Sequence, residues 1–193
     1  MLTFYFAPGY SSMAPHIALH EVGVAFEPRP ISFGKRENRA PEFLALNPEG
    51  KVPLLLIDGR RLTEVAGILF YLARRFPEAG LWPGDDIEAE AHAIAWMSFI
   101  ASTLHPARRQ GMEHAMAVWS VAEQRLRGRQ WALGRYSIAD IHLFRLFWRF
   151  RNGAGLSSET FPNLSAHYDR MMARPAVQRV IAIESGIGYE LPA

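Results

Sequence analysis

The chain has 193 residues, 49% apolar, 12% aromatic and 21% charged, enough to bury one sizeable core or two small ones and too apolar for a disordered or collagen-like chain. Lys and Arg number 21 against 19 Asp and Glu; residues 1–80 carry 9 basic and 8 acidic side chains, and residues 81–193 carry 12 and 11. Neither half is a basic module, so composition argues against nucleic acid as a partner even at a sequence pI near 9.1. There is no cysteine, which excludes a thiol nucleophile, disulfides and cysteine-ligated zinc, so any thiol chemistry must use a thiol brought by a ligand. The N-terminus has no basic region before Pro8-Gly9, and no uncharged apolar run reaches the roughly 18 residues of a membrane span. The expectation is a soluble cytoplasmic protein, with no metal and no membrane partner.

Residues 2–6 alternate and are rich in aromatics, which predicts a strand ending at Pro8-Gly9. A helix follows from about Ser12 to Gly23, with Pro15 in its first turn, and residues 26–31 read as a second strand. Strand, helix, strand in that order predicts a parallel pair. Residues 41–46 read as a short helix closed by Asn47-Pro48; residues 52–57 and 60–63 then flank Asp58-Gly59, a strong two-residue hairpin signal. Residues 63–76 follow as a helix with Val65, Ile68, Leu69, Leu72 and Phe76 on one stripe and Arg74 and Arg75 at its C-terminal end. The predicted order is βαβαββα.

Residues 77–86 are dense in Pro, Gly and Asp, and no strand pattern follows them. Helical patterns run over 87–104 and about 112–126. Ser137 and Asp140 have capping-box spacing ahead of a helix from Ile138 to about Phe150, and Pro162 and Pro175 each mark a first helical turn. The predicted organisation is a domain over 1–78, a connection over 79–86 and an all-helical domain over 87–193.

Five strings in register resemble the cytosolic glutathione transferase family: Asn47 to Leu55; Leu62-Thr63-Glu64 with Ile68-Leu69 and Tyr71-Leu72; Tyr136 to Asp140; Phe161 to Leu164; and Ala173 to Val177. Ala7-Pro8-Gly9 and Ala14 to Leu19 are most similar to the bacterial beta class. The resemblance implies a thioredoxin-like α/β N-terminal domain (βαβαββα), an all-α C-terminal domain, and a homodimer.

It also implies a site for glutathione as co-substrate. Val52 would offer its backbone to the cysteinyl unit, aimed by a cis bond to Pro53, although Val-Pro also occurs as an ordinary trans strand start. The γ-glutamyl carboxylate would meet the N-terminus of the third helix, and Glu64 the γ-glutamyl ammonium; the alternative for Glu64 is a first-turn acid that serves only the helix dipole. Val65 stands where the family has Ser or Thr, a loss worth about 1–2 kcal/mol of binding. Ser11 lies where the beta class has its cysteine and ranks first as donor to the sulfur, ahead of Ser12 and Tyr5; the serines also read as helix caps, and Tyr5 as a strand aromatic. Lys35 and Lys51, the only lysines, are candidates for the glycyl carboxylate or else solvated surface charges.

In the helical half, His105 resembles a beta-class histidine that faces the site, and Ser98, seven residues earlier, would share its helix face. Pro106 replaces the Lys usual after the histidine, which leaves Arg108 or Arg109 to supply positive charge. Trp96, Phe99, Phe144, Phe147 and Trp148 read as core before pocket, and Asp140 as a cap. The residues from Arg108 to Met116 mark where this chain is shorter than the family. The functional expectation is an enzyme that stabilises the glutathione thiolate for attack on a small apolar electrophile or a peroxide. The alternatives are a non-catalytic binding or regulatory protein of the same fold, or a glutathione-dependent isomerase or dehalogenase.

Overall fold

A computed structural model describes residues 1–84 and 86–191. Asp85 of the expected connection, and Pro192 and Ala193 of the expected helical domain, lie outside the described residues. The chain forms two compact units, Met1–Phe76 together with the segment from Pro175 on, and Pro77–Arg174.

In the first unit the strands β1 (Leu2–Phe6), β2 (Glu27–Pro30), β3 (Leu54–Ile57) and β4 (Arg60–Thr63) form one sheet in the order β2-β1-β3-β4. β1 pairs parallel with β2, Thr3 opposite Glu27, and antiparallel with β3, Leu2 opposite Ile57. The hairpin falls at Asp58-Gly59, whose φ values of 49° and 80° are those of the turn that matches strand twist. The central strand carries fully buried Phe4 and Phe6, which explains the aromatic alternation read in the sequence.

Helices α1 (Met13–Glu21) and α3 (Val65–Arg75) bury Ile17, Leu19, Ile68, Leu69 and Leu72. A smaller cluster of Ala7, Ile31, Phe43, Val52 and Leu54 includes Phe43 of α2 (Pro41–Leu46). The order is the thioredoxin-like βαβαββα. α3 begins at Val65 and not at Thr63, because Thr63 still pairs with Leu54 across the hairpin.

The second unit holds α4 (Ile87–Phe99), α5 (Met112–Arg125), α6 (Ile138–Ala154) and α7 (Pro162–Met172). α6 is buried on nearly every side from Ile138 to Trp148, as a central helix must be. Its N-terminus has the predicted capping box, with Asp140 accepting from Ser137 N–H at 2.9 Å and from Ser137 Oγ–H at 3.0 Å. The aromatics Trp96, Phe99, Phe144, Phe147 and Trp148 are all buried.

Helix α8 (Pro175–Ile187), read from the sequence as part of the helical half, groups with the first unit. The reason is a buried polar tie: Glu184 accepts from Gly9 N–H at 2.7 Å and pairs with His16 Nδ1 of α1 at 2.8 Å. A carboxylate with no exposed surface needs such partners, and α1 and the turn before it supply them.

Candidate functional site

The turn between β1 and α1 is tight: Tyr10 N–H donates to Ala7 O at 3.1 Å, and Gly9 takes a φ of 75° that a side chain would strain. This turn separates the two candidate serines. Ser12 is fully buried, and its hydroxyl both accepts from Ala7 N–H and donates to Ala7 O, each at 3.1 Å. It closes the turn and forms no side-chain cap to α1. Ser11 is half-buried, and its Oγ–H donates to Val52 O at 3.2 Å. Tyr5 packs its ring on Phe43, with centroids 5.7 Å apart.

Val52 and Pro53 precede β3, and the bond between them is cis. The loop leading to them is held by two buried asparagines: Asn38 Nδ2–H donates to Gly50 O at 2.9 Å, and Asn47 Nδ2–H donates to Lys51 O at 2.7 Å. These two side chains escaped the sequence reading. Asn47 reads in the sequence as a helix stop and as the start of the string 47–55, neither of which marks its side-chain bond, and Asn38 follows no motif, since its role depends on a loop 12 residues further on. Lys51 pairs with Glu49 at 2.7 Å, both of them exposed. Lys35 is exposed at the end of the turn formed by residues 32–35, where its N–H donates to Ser32 Oγ at 3.0 Å.

Glu64 is the residue ahead of α3, exposed, with φ 67° and ψ 130°. Its carbonyl accepts from Ile68 N–H, the first bond of the helix, and its side chain makes no cap bond to the amides of the first turn. The N–H groups of Val65, Ala66 and Gly67 therefore have no intrahelical acceptor, and the positive end of the helix is open to an anion. Val65 adds no hydroxyl there; its side chain is buried in the core.

In the second unit, Ser98 is exposed on α4 and its carbonyl accepts from Ser102 Oγ–H at 2.8 Å. The helix does not continue evenly to His105. Residues Ile100–Leu104 form a π-helical turn, with His105 N–H bonded to Ile100 O at 2.9 Å. Such a turn holds an extra residue, so the spacing of seven no longer aligns His105 with Ser98. Partial desolvation, with Arg145 and Arg109 nearby, lowers the His105 pKa. His142 of α6 is fully buried and held down to about 3 by desolvation, with His105 and Arg145 adding to the effect. Both rings are thus neutral near pH 7.

The structure thus brings Ser11 and Val52 together, engages Ser12 and Lys51 elsewhere, and leaves Glu64 at an uncapped helix start. Among the described residues no group of three or more His, Cys, Asp or Glu is placed to hold a metal ion.

A thioredoxin-like domain followed by helices, with a cis-proline loop beside the start of α1, defines a two-domain α/β-plus-helical architecture. Residues 1–74 match the family model for the glutathione S-transferase N-terminal domain, and residues 87–175 match that for its C-terminal domain. The chain is 30% identical to the glutathione S-transferase GstA of Escherichia coli O157:H7, covering 95% of this chain and 98% of that one. A glutathione transferase homologue from Sulfitobacter, solved with bound glutathione, superposes with a TM-score of 0.88 at 31% identity over 95% of this chain and 98% of its own. A beta-class glutathione S-transferase of Sphingomonas chungbukensis does so with a TM-score of 0.84 at 31% identity over 94% of this chain and 98% of its own. The chain belongs to the glutathione S-transferase family.

Proposed function

We propose that the first unit binds glutathione and that Ser11 donates a hydrogen bond to its sulfur, so that the thiolate attacks a small apolar electrophile or a peroxide. The observation that carries this reading is the contact of Ser11 Oγ with Val52 O at 3.2 Å. A cysteinyl unit paired with the backbone of Val52 brings its Sγ beside that hydroxyl, which turns its proton from the carbonyl to the sulfur. The thiol proton leaves to solvent, and the O–H group and the start of α1 favour the anion that remains. With a carbon electrophile a sulfur–carbon bond then forms, and the leaving group departs with its electron pair. No covalent bond to the protein is involved; its work is positioning and charge stabilisation.

The rest of the ligand has partners of matching charge. The γ-glutamyl carboxylate goes to the amides of Val65, Ala66 and Gly67, its ammonium to Glu64, and the glycyl carboxylate to Lys35, since Lys51 already pairs with Glu49. The active assembly is a homodimer. The Sulfitobacter homologue solved with glutathione supports the first-site assignment by likeness over nearly the whole chain.

Val65 and Pro106 favour a second reading, a binding or regulatory protein of the same fold that has lost glutathione chemistry. Titration calorimetry with glutathione decides between the two. The transferase reading predicts a dissociation constant between micromolar and low millimolar, tightened by Val65→Ser by roughly tenfold or more through one added hydrogen bond. No binding by the native chain, with binding restored in Val65→Ser, would overturn it in favour of the second.

A further inference from the structure

The C-terminal segment after α8 folds back over the turns that carry the site in the first unit. Glu190 is its central residue. Its carboxylate accepts from Ser32 Oγ–H at 2.7 and 3.0 Å and from Gly34 N–H at 2.8 Å, and its backbone carbonyl accepts from Tyr10 O–H at 2.9 Å. Tyr10 in turn stacks on Phe33, with ring centroids 4.5 Å apart. The neighbours of two glycines make the same point independently. A Cβ at Gly9 would stand 2.9 Å from Tyr189 and Leu191, and one at Gly34 would stand 3.2 Å from the Glu190 carboxylate. At both positions the nearest atoms are side-chain atoms of this tail, which places it directly over the two turns.

The turn that receives Glu190 is a carboxylate cradle: a hydroxyl and a backbone amide converge on one anion, and Lys35 is the next residue of the turn. Lys35 is also the residue assigned above to the glycyl carboxylate of glutathione. We infer that Tyr189, Glu190 and Leu191 form a strap whose carboxylate occupies the Ser32–Gly34–Lys35 cradle in place of a ligand carboxylate, so that ligand must displace it to bind. The identity of that ligand rests on the proposed function; the cradle and its occupant do not. The hydrogen bonds of Gly34 and Ser32, with a smaller effect of Lys35, keep the Glu190 carboxyl below its usual range, so the strap stays charged at neutral pH.

Displacement of an internal competitor raises the apparent dissociation constant by the inverse of the open fraction, so Glu190→Ala should tighten glutathione about fivefold. Glu190→Gln, which keeps the shape and loses the charge, should fall between. The glycyl monoethyl ester of glutathione, which lacks the competing carboxylate, should bind native and variant chains alike. In parallel, amide resonances of Gly34 and Glu190 are followed by NMR in the full chain during titration with N-acetylglycine, with N-acetylglycinamide as the neutral control. The strap predicts that the carboxylate shifts both resonances and the amide compound neither.

Glutathione affinity that is unchanged or weakened in Glu190→Ala overturns the strap and leaves the functional reading intact. If neither chain binds glutathione, that reading fails while the N-acetylglycine titration still decides the strap: shifted resonances support it, and unmoved ones overturn it.

Discussion

Glu64, with φ 67° and ψ 130°, joins β4 to α3 in a backbone region that residues with a β-carbon avoid, at a cost of about 1–3 kcal/mol. Glycine visits that region freely, so Glu64→Gly should raise stability to urea by about 1 kcal/mol after its own entropy loss is counted. The same change removes the carboxylate that we propose meets the γ-glutamyl ammonium, and glutathione binding should weaken. A variant that becomes less stable while binding glutathione undiminished would show that the strain and the carboxylate do not belong to the site.

His142 and His20 give a pH dependence of definite sign. Their folded pKa values of about 3 and about 4 lie below the ordinary 6.5, in both cases chiefly through desolvation. Below pH 6.5 the unfolded chain therefore takes up protons that the folded chain refuses. Stability is complete above 6.5 and falls as pH drops towards the folded values, by up to about 1.4 kcal/mol per pH unit for each histidine. His20 is only partly buried and gives less than that limit. Urea midpoints measured from pH 7 to 4 should decline, and less steeply in His142→Gln; a flat native profile would contradict the burial of a neutral ring.

At the scale of elements, the start of α6 depends on one side chain. Asp140 is fully buried and accepts from Ala132 N–H at 2.7 Å, from the N–H and hydroxyl of Ser137, and pairs with His167 Nε2 at 3.1 Å. Asp140→Ala leaves those groups without an acceptor and should cost about 3 kcal/mol in a urea titration. A loss below about 1 kcal/mol would mean that the network is incidental.

That box was legible because its two residues lie three apart, and the hairpin because Asp58-Gly59 demands positive φ. Ser12 tying itself to Ala7, and the π-helical turn before His105, were not. Each depends on where the chain is forced to go, and nothing in the identities of Ser12 or of residues 100–104 marks it. Of the candidate site, Ser11, Val52 and Pro53 could be read from neighbouring residues. The roles of Asn38 and Glu190 could not, because their partners lie 12 and 156 residues away.

At the scale of the molecule, α8 is tied to α1 through Glu184, His16 and Gly9, so the last helix helps to fix the turn that presents Ser11. The chain has no cysteine of its own, so the proposed function rests on a ligand thiol, stabilised as the thiolate by a hydrogen-bond donor of the protein. The most direct test is the pKa of the bound glutathione thiol, followed by ultraviolet absorbance of the thiolate in native chain and in Ser11→Ala. The account predicts a bound pKa at least about one unit below the ordinary value near 8.5, returning towards it when the hydroxyl is removed. A bound thiol of ordinary pKa, or one that Ser11→Ala leaves unmoved, would contradict it.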